Sequence, residues 1–470
     1  MDGYIFQIIG NLKGYKDVKF VIEDKEFPGI LSSKAVKEFY LKEKGIELKN
    51  IFLVPESLVP EIEGYNPYEL LCNKEKFREN VAKQLKESVG DDIRAENIII
   101  LQSVGEYRKN SLSIFFDNNV DNIVSYLVME ISKIFKSFNK DFILLADIST
   151  GHNIYTSALI DTLRILITRY KLSNLLQNGT LKTSIVSIPP IIGKTKYRLY
   201  FYDYDVRVFF DFPLKNVNLE NISSPSFVYD KFSSSEKEKI GKELEKEIML
   251  IKDSVKKTAI AFNAIKYNIP LALFYNEIVN LEEAKEEVKV LEKILEFYEN
   301  KQTIDSKENI IIKKYIKIKR NLFINTLLTL DLLSSLRKFF IENIKSSIGK
   351  NNIVNIKDLE NISTKLYDSL NLNINKIFLK RDLKEIEYHA CNLSEGDEKL
   401  YKELIPRTEK EEIESENIHQ YSMQKRNFFA HSGLLREYIK LKKENGMIYL
   451  SYTEDCLPII KKWIKKPEEL

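Results

Sequence analysis

The run F-I-L-L-A-D-I (142–148), followed at once by S-T-G-H-N (149–153) and I-Y-T-S-A-L-I-D-T-L-R (154–164), decides the fold. Six apolar residues, interrupted only by Asp147, read as a strand buried on both faces, as in a parallel sheet. The polar turn and the amphipathic segment after it read as a strand-to-helix junction. Similar short apolar runs occur at 4–9 (YIFQII), 51–54 (IFLV), 97–101 (NIIIL) and 183–188 (TSIVSI), bounded by Gly, Pro, Asn or Ser. Between them lie helical patterns. The clearest places Val120, Val124, Leu127, Ile131 and Ile134 at steps of four, three, four and three. Strand–helix alternation of this kind predicts a Rossmann-like α/β domain over 1–215. The runs YRLYFY (197–202) and VRVFFDF (206–212), separated by Asp203-Tyr204-Asp205, are expected to close the sheet as an antiparallel hairpin.

Open sheets of this class bind ligands beyond the C-terminal ends of their strands. Three such ends suit a phosphate-bearing ligand: Gly10-Asn11, Gln102-Ser103-Val104-Gly105, and the junction Ser149, Thr150, Gly151, His152, Asn153. The last offers small residues, backbone N–H groups and a helix N-terminus. Ser, Thr and Asn also serve as ordinary helix caps, so a plain capped connection reads the junction equally well. Neither a G-x-G-x-x-G fingerprint nor a G-x-x-x-x-G-K-[ST] loop is present.

The texture changes around 216–235, where prolines, asparagines and serines mark a linker. Beyond it, 236–470 reads as helical. Ile240, Leu244, Ile248, Ile251, Val255 and Phe262 form one stripe, and 281–300, 310–345 and 357–387 give further helices. The stretch IIIKKYIKIKRN (310–321) carries five basic residues and no acid, with Lys313, Lys317 and Arg320 on one face of an expected helix. That face is a solvated surface or a track for a nucleic-acid backbone. Residues 392–417 read as an exposed acidic loop with a broken helix, and Asn445-Gly446 signals a short C-terminal β-hairpin. Trp463 is assigned to packing.

Near the C-terminus stands Arg426-Asn427-Phe428-Phe429-Ala430-His431. A guanidinium holds phosphate charge and an imidazole moves protons near neutral pH. Asn427 and His431, four apart, share a helix face, while Arg426 lies about 140° away from His431. Phe428 and Leu435 are positioned to pin the helix to a core. Six residues of this kind also occur on ordinary surface helices, so the order of the surrounding parts has to carry the reading.

The chain has 470 residues, 44% apolar and 30% charged, with a net charge of +3, so no global basic field directs it to nucleic acid. Cys72, Cys391 and Cys456 form no CxxC pair, which argues against a disulfide framework and fits a reducing cytoplasm. His152, His389, His419 and His431 lack metal-ligand spacing, so no metal site is expected. With no run of 18 apolar residues and a first segment that reads as a strand, no membrane span or signal peptide is expected.

A Rossmann-like domain with D-I-S-T-G-H-N (147–153), followed by a helical domain ending in R-N-F-F-A-H (426–431), resembles the CARF–HEPN ribonucleases of type III CRISPR systems, the Csx/Csm branch. The resemblance implies a CARF-type domain that binds cyclic oligoadenylate across a dimer axis. It implies a HEPN-type domain whose two Arg-His motifs, one per chain, form a composite site for single-stranded RNA. Carried over, Arg426, Asn427 and His431 are catalytic, and Gly10, Asn11, Ser103 and Ser149 to Asn153 cradle the activator. Cyclic tetra-adenylate is the favoured ring, no cofactor is required, and the protein is a cytoplasmic homodimer able to assemble further. Residues 270–420 match nothing in that pattern and read as a helical insertion. A competing reading is a ligand-sensing nucleic-acid-binding regulator that does not cut, using the basic face at 313–320. A third gives His152 a role in degrading the activator.

Overall fold

The computed structural model describes residues 2–90, 92–109, 112–135, 141–150, 153–175, 179–189, 196–208, 260–279, 320–344, 353–405 and 419–467, with shorter pieces between 228 and 318. Its centre is a six-stranded sheet built from β1 (Asp2–Ile8), β2 (Leu48–Pro55), β3 (Ile98–Leu101), β4 (Phe142–Asp147), β5 (Leu181–Ser187) and β6 (Tyr200–Asp203). The order is β6-β5-β4-β1-β2-β3. β1 to β5 are parallel, with Tyr4 opposite Lys49 on one side and Leu144 on the other. All six residues of β4 are buried, which is what its unbroken apolar run dictates.

Alternation along each strand sorts side chains onto two faces. Tyr4, Phe6, Leu144 and Ala146 pack with Val124, Leu127, Leu159 and Leu163 of the helices α3 (Val120–Ile134) and α4 (Asn153–Ser173). Ile5, Ile143 and Leu145 face Val36 and Phe39 of α1 (Ser32–Lys44). Phe52, Val54 and Ile100 face Phe77, Val81 and Leu85 of α2 (Lys74–Val89). The chain winds outward from β1 to β3, then crosses back to β4 and winds the other way. The reversal, between β1 and β4, is the topological switch point of a doubly wound sheet.

Two sequence expectations are corrected here. β6 pairs antiparallel with β5 (Phe201 opposite Val186), not with a strand at 206–212. Lys171 donates to the carbonyl of Val206, and Val206 and Val208 are buried in the core instead; residues 209–212 lie outside the described residues. The second correction is the basic helix at 310–321. Ile310–Lys314 and Ile316–Ile318 are strands. The first joins Leu112–Asp117 in parallel, Ile312 opposite Phe116, with Ile310 and Ile312 buried. A run dense in β-branched Ile fits a pleated, half-buried surface better than a helix. Lys313, Lys317 and Arg320 therefore share no helix face, and the proposed nucleic-acid track over 313–320 loses its helix. The stripe at 240–262, the helix at 281–300 and the linker at 216–235 lie largely outside the described residues.

Arg320 opens α5 (Arg320–Asn343), which packs on α4 and α3. Three ion pairs hold it there. Arg320 binds Asp161 at 2.8 Å and Asp121 at 3.4 Å, and buried Arg169 of α4 grips Asp331 of α5 through two hydrogen bonds of 2.7 and 3.1 Å. The core is continuous across this contact, running from Leu166 through Leu327, Leu333 and Phe340 to Leu366 and Phe428. The expected helix over 357–387 is broken in two. Asn371, at φ 56, separates Ile356–Ser369 from α6 (Asn373–Ala390). The remaining elements are α7 (His419–Ala430), the hairpin β7 (Ile439–Glu444) with β8 (Met447–Tyr452), and α8 (Leu457–Lys465). The hairpin turns at Asn445 and Gly446 with φ 53 and 70, as that dipeptide dictates. The acidic segment 392–417 contributes a short strand, Glu398–Leu400, to the sheet of that hairpin. No described helix is long and apolar enough to cross a membrane.

Candidate active site and ligand crevice

α7 carries the Arg-His motif to its end. Phe428 is fully buried, 5.3 Å from the Trp463 ring centroid, and the packing of Trp463 and Leu435 anchors the helix as their apolar bulk requires. Lys425 is buried too, and its Nζ donates 2.7 Å to the carbonyl of Lys466 at the end of α8. With that face fixed inward, Arg426, Asn427 and His431 stand in solvent.

His431 sits where the helix stops. Its N–H donates 3.0 Å to the Asn427 carbonyl, the last bond of the helical ladder, and Gly433 N–H then reaches back 2.8 Å to Phe428. Ser432 and Gly433 both take left-handed backbone conformations, φ 54 and 73. The strained turn is held from several sides. Asn268 donates to Ser432 Oγ at 2.8 Å, Ser432 donates to Asp382 Oδ2 at 2.6 Å, and Tyr452 donates to the Gly433 carbonyl at 3.0 Å. A left-handed serine persists only where surroundings impose it, and here three elements do so.

Asn427 and His431 open onto one cleft of about 260 Å³, shared with Asp382, Glu385, Tyr401, Arg436 and Glu437. The four-residue spacing thus brings the amide and imidazole together as expected. Arg426 does not line the cleft, in keeping with its angle around the helix. The cleft is rich in carboxylates for a site that would take a phosphodiester. Arg436 Nη2 lies 3.1 Å from Glu385 Oε1, and burial pushes the Tyr401 phenol up. Arg436 carries no motif signal; its place five residues beyond His431 is the only cue the sequence holds.

In the sheet, the switch point brings Gly10-Asn11, after β1, beside Ser149-Thr150, after β4. Thr150 Oγ1 donates to the carbonyl of Ile8, tying the two loops together. Ser149 N–H donates 3.0 Å to Asp147 Oδ1, and Ser32 Oγ donates 2.6 Å to Asp147 Oδ2. Gln7 Nε2 donates 2.9 Å to the same serine, which fixes the start of α1 under the crevice. Burial pushes the Asp147 carboxyl up, against the pull of these donors. Asn11 and Asn153 are exposed on the crevice side. Ser103 is not: it is fully buried, and its hydroxyl receives Ser57 N–H and Tyr155 O–H, both at 2.9 Å. It ties the loop after β2 to Tyr155 of α4 and does not face the crevice as a free hydroxyl. Gly151 and His152 lie outside the described residues.

The chain thus joins a doubly wound sheet with an open switch point to a helical unit that carries an Asn-His cleft. Residues 4–202 match the family described as CRISPR system endoribonuclease Csx1, CARF domain, and residues 372–454 match CRISPR system endoribonuclease Csx1, HEPN domain. The chain belongs to the CRISPR-associated CARF–HEPN ribonucleases. The second match opens at the break before α6 and takes in the whole cleft. No curated protein matches the chain.

Proposed function

We propose that this ribonuclease cuts single-stranded RNA without a metal ion when cyclic oligoadenylate, as cyclic tetra-adenylate, occupies the crevice between β1 and β4. The sharing of one cleft by Asn427 and His431 carries the catalytic half of the reading. The imidazole moves a proton to or from the RNA 2′-hydroxyl and the leaving 5′-oxygen, Asn427 orients the phosphate, and Arg426 stabilises its charge. Attack by the 2′-hydroxyl leaves a 2′,3′-cyclic phosphate and a 5′-hydroxyl.

One chain offers a single imidazole, an Arg426 outside the cleft and carboxylates within it. Pairing with a second copy supplies the missing charge and the second proton carrier. α6 has a face for it: Ile374, Ile377, Phe378 and Tyr388 are 60%, 66%, 43% and 75% exposed along one stripe. The activator is held by Gly10, Asn11, Ser149, Thr150, Gly151, His152 and Asn153, with Ser103 in a supporting role. The sensor spans 1–215, the linker 216–235 and the nuclease 236–470. The reaction belongs to type III CRISPR defence in the cytoplasm.

The test is incubation with activator and single-stranded RNA in EDTA, followed by end-group analysis. The expected products carry cyclic phosphate and 5′-hydroxyl ends, and His431→Ala lowers the rate by roughly 10²–10⁴-fold. A requirement for Mg²⁺, or full activity in His431→Ala, overturns the mechanism.

A further inference from the structure

Arg426 does not line the cleft that Asn427 and His431 share, so within one chain a phosphate-binding charge in that cleft has to come from another residue. Among its described lining residues Arg436 is the one fixed cation. Its backbone is well placed. Lys402 N–H donates 3.1 Å to the Arg436 carbonyl, so the residue is clamped between the turn after His431 and the segment Tyr401–Leu404. The guanidinium meets Glu385 through one hydrogen bond of 3.1 Å, with the two side chains 41% and 39% exposed. A single-contact pair this open to water is weak and easily exchanged. A guanidinium prefers two parallel hydrogen bonds to a tetrahedral anion, and a phosphate offers them.

We infer that Arg436 is a substrate-contacting residue of the ribonuclease site, its guanidinium leaving Glu385 to hold an RNA phosphate beside His431. Glu385 then acts as a stand-in anion that keeps the cation at the cleft while it is empty. The inference rests on the ribonuclease reading and adds to it a phosphate contact made within one chain. It also makes opposite predictions for the two partners of one ion pair.

Binding of a fluorescent single-stranded oligoribonucleotide is measured by anisotropy across a salt series, in the full chain carrying His431→Ala so that no cleavage intervenes. Adding Arg436→Ala weakens binding about tenfold and lowers the slope of log affinity against log salt by about 0.7, the share of one phosphate contact in a single strand. Arg436→Lys recovers part of the affinity, with the slope restored. Glu385→Gln strengthens binding, because it removes the competing anion. The inference is overturned if Glu385→Gln weakens binding as much as Arg436→Ala, since the pair is then only structural. It is equally overturned if Arg436→Ala leaves both affinity and slope unchanged. The two readings separate in the cleavage assay. If the otherwise unaltered chain cleaves RNA and its Arg436→Ala variant cleaves within twofold of it, the inference about Arg436 fails alone. A chain that neither binds nor cleaves RNA removes the ribonuclease reading and the inference together.

Discussion

His431 owes its position to the two residues that follow it. Gly433 has φ 73, and a Cβ added there would lie 2.4 Å from Ile269 Cγ2 and 3.1 Å from the Tyr452 hydroxyl oxygen. Both the backbone conformation and the space demand glycine. Gly433→Ala is expected to destabilise the chain by about 1–3 kcal/mol, read as a lower urea midpoint with an unchanged slope. Ser432 next door is not glycine, and its left-handed turn is held by side-chain bonds to Asn268 and Asp382. Asp382 is on α6, and Asn268 comes from a segment remote in sequence. A motif read as Arg-Asn-x-x-x-His therefore depends on partners that no local pattern reveals.

At the level of elements, α4 joins the crevice to the helical half. It begins at Asn153 beside the crevice and carries, in its last turns, Arg169 of the buried pair with Asp331 of α5. Removing one partner of such a pair leaves a buried charge uncompensated. Asp331→Ala is expected to cost about 3–5 kcal/mol in chemical denaturation, while breaking the exposed pair between Glu38 and Lys42 of α1 with Glu38→Ala costs well under about 1 kcal/mol. How far the elements were legible follows from where their information lies. The apolar run 142–147, the helix 120–134 and the Asn445-Gly446 turn declare themselves locally, because period or turn chemistry is written into adjacent residues. Ile310–Lys314 does not. Its lysines suggested a helix face, and the strand that recruits it, Leu112–Asp117, is far away in the chain. The hairpin expected at 197–212 failed for a different reason: β6 turns back onto β5, the sheet strand before it, and apolar runs do not say which of two flanking segments a strand will pair with. Ser103 looked like a free loop hydroxyl, and only the fold shows Ser57 and Tyr155 closing over it.

For the whole molecule, a continuous core and a chain of packed helices run between the crevice-bearing sheet and the cleft-bearing helices. Ligand control then requires a second state that the activator favours by differential binding. In the proposed dimer, pairing through the α6 stripe is the element that the activator would shift between two arrangements. Ile377 is 66% exposed and lies in that stripe. Ile377→Glu is therefore expected to lower the dimer fraction in sedimentation velocity and to reduce cleavage in parallel, with little change in melting temperature. Loss of cleavage in a variant that still dimerises fully would argue against a site built by two chains. The account stands most directly on ligand control itself. Single-stranded RNA cleavage is measured in EDTA, with and without cyclic tetra-adenylate, at fixed protein concentration. The account predicts slow or no cleavage without the ring and rapid cleavage with it; equal rates in the two arms would contradict it.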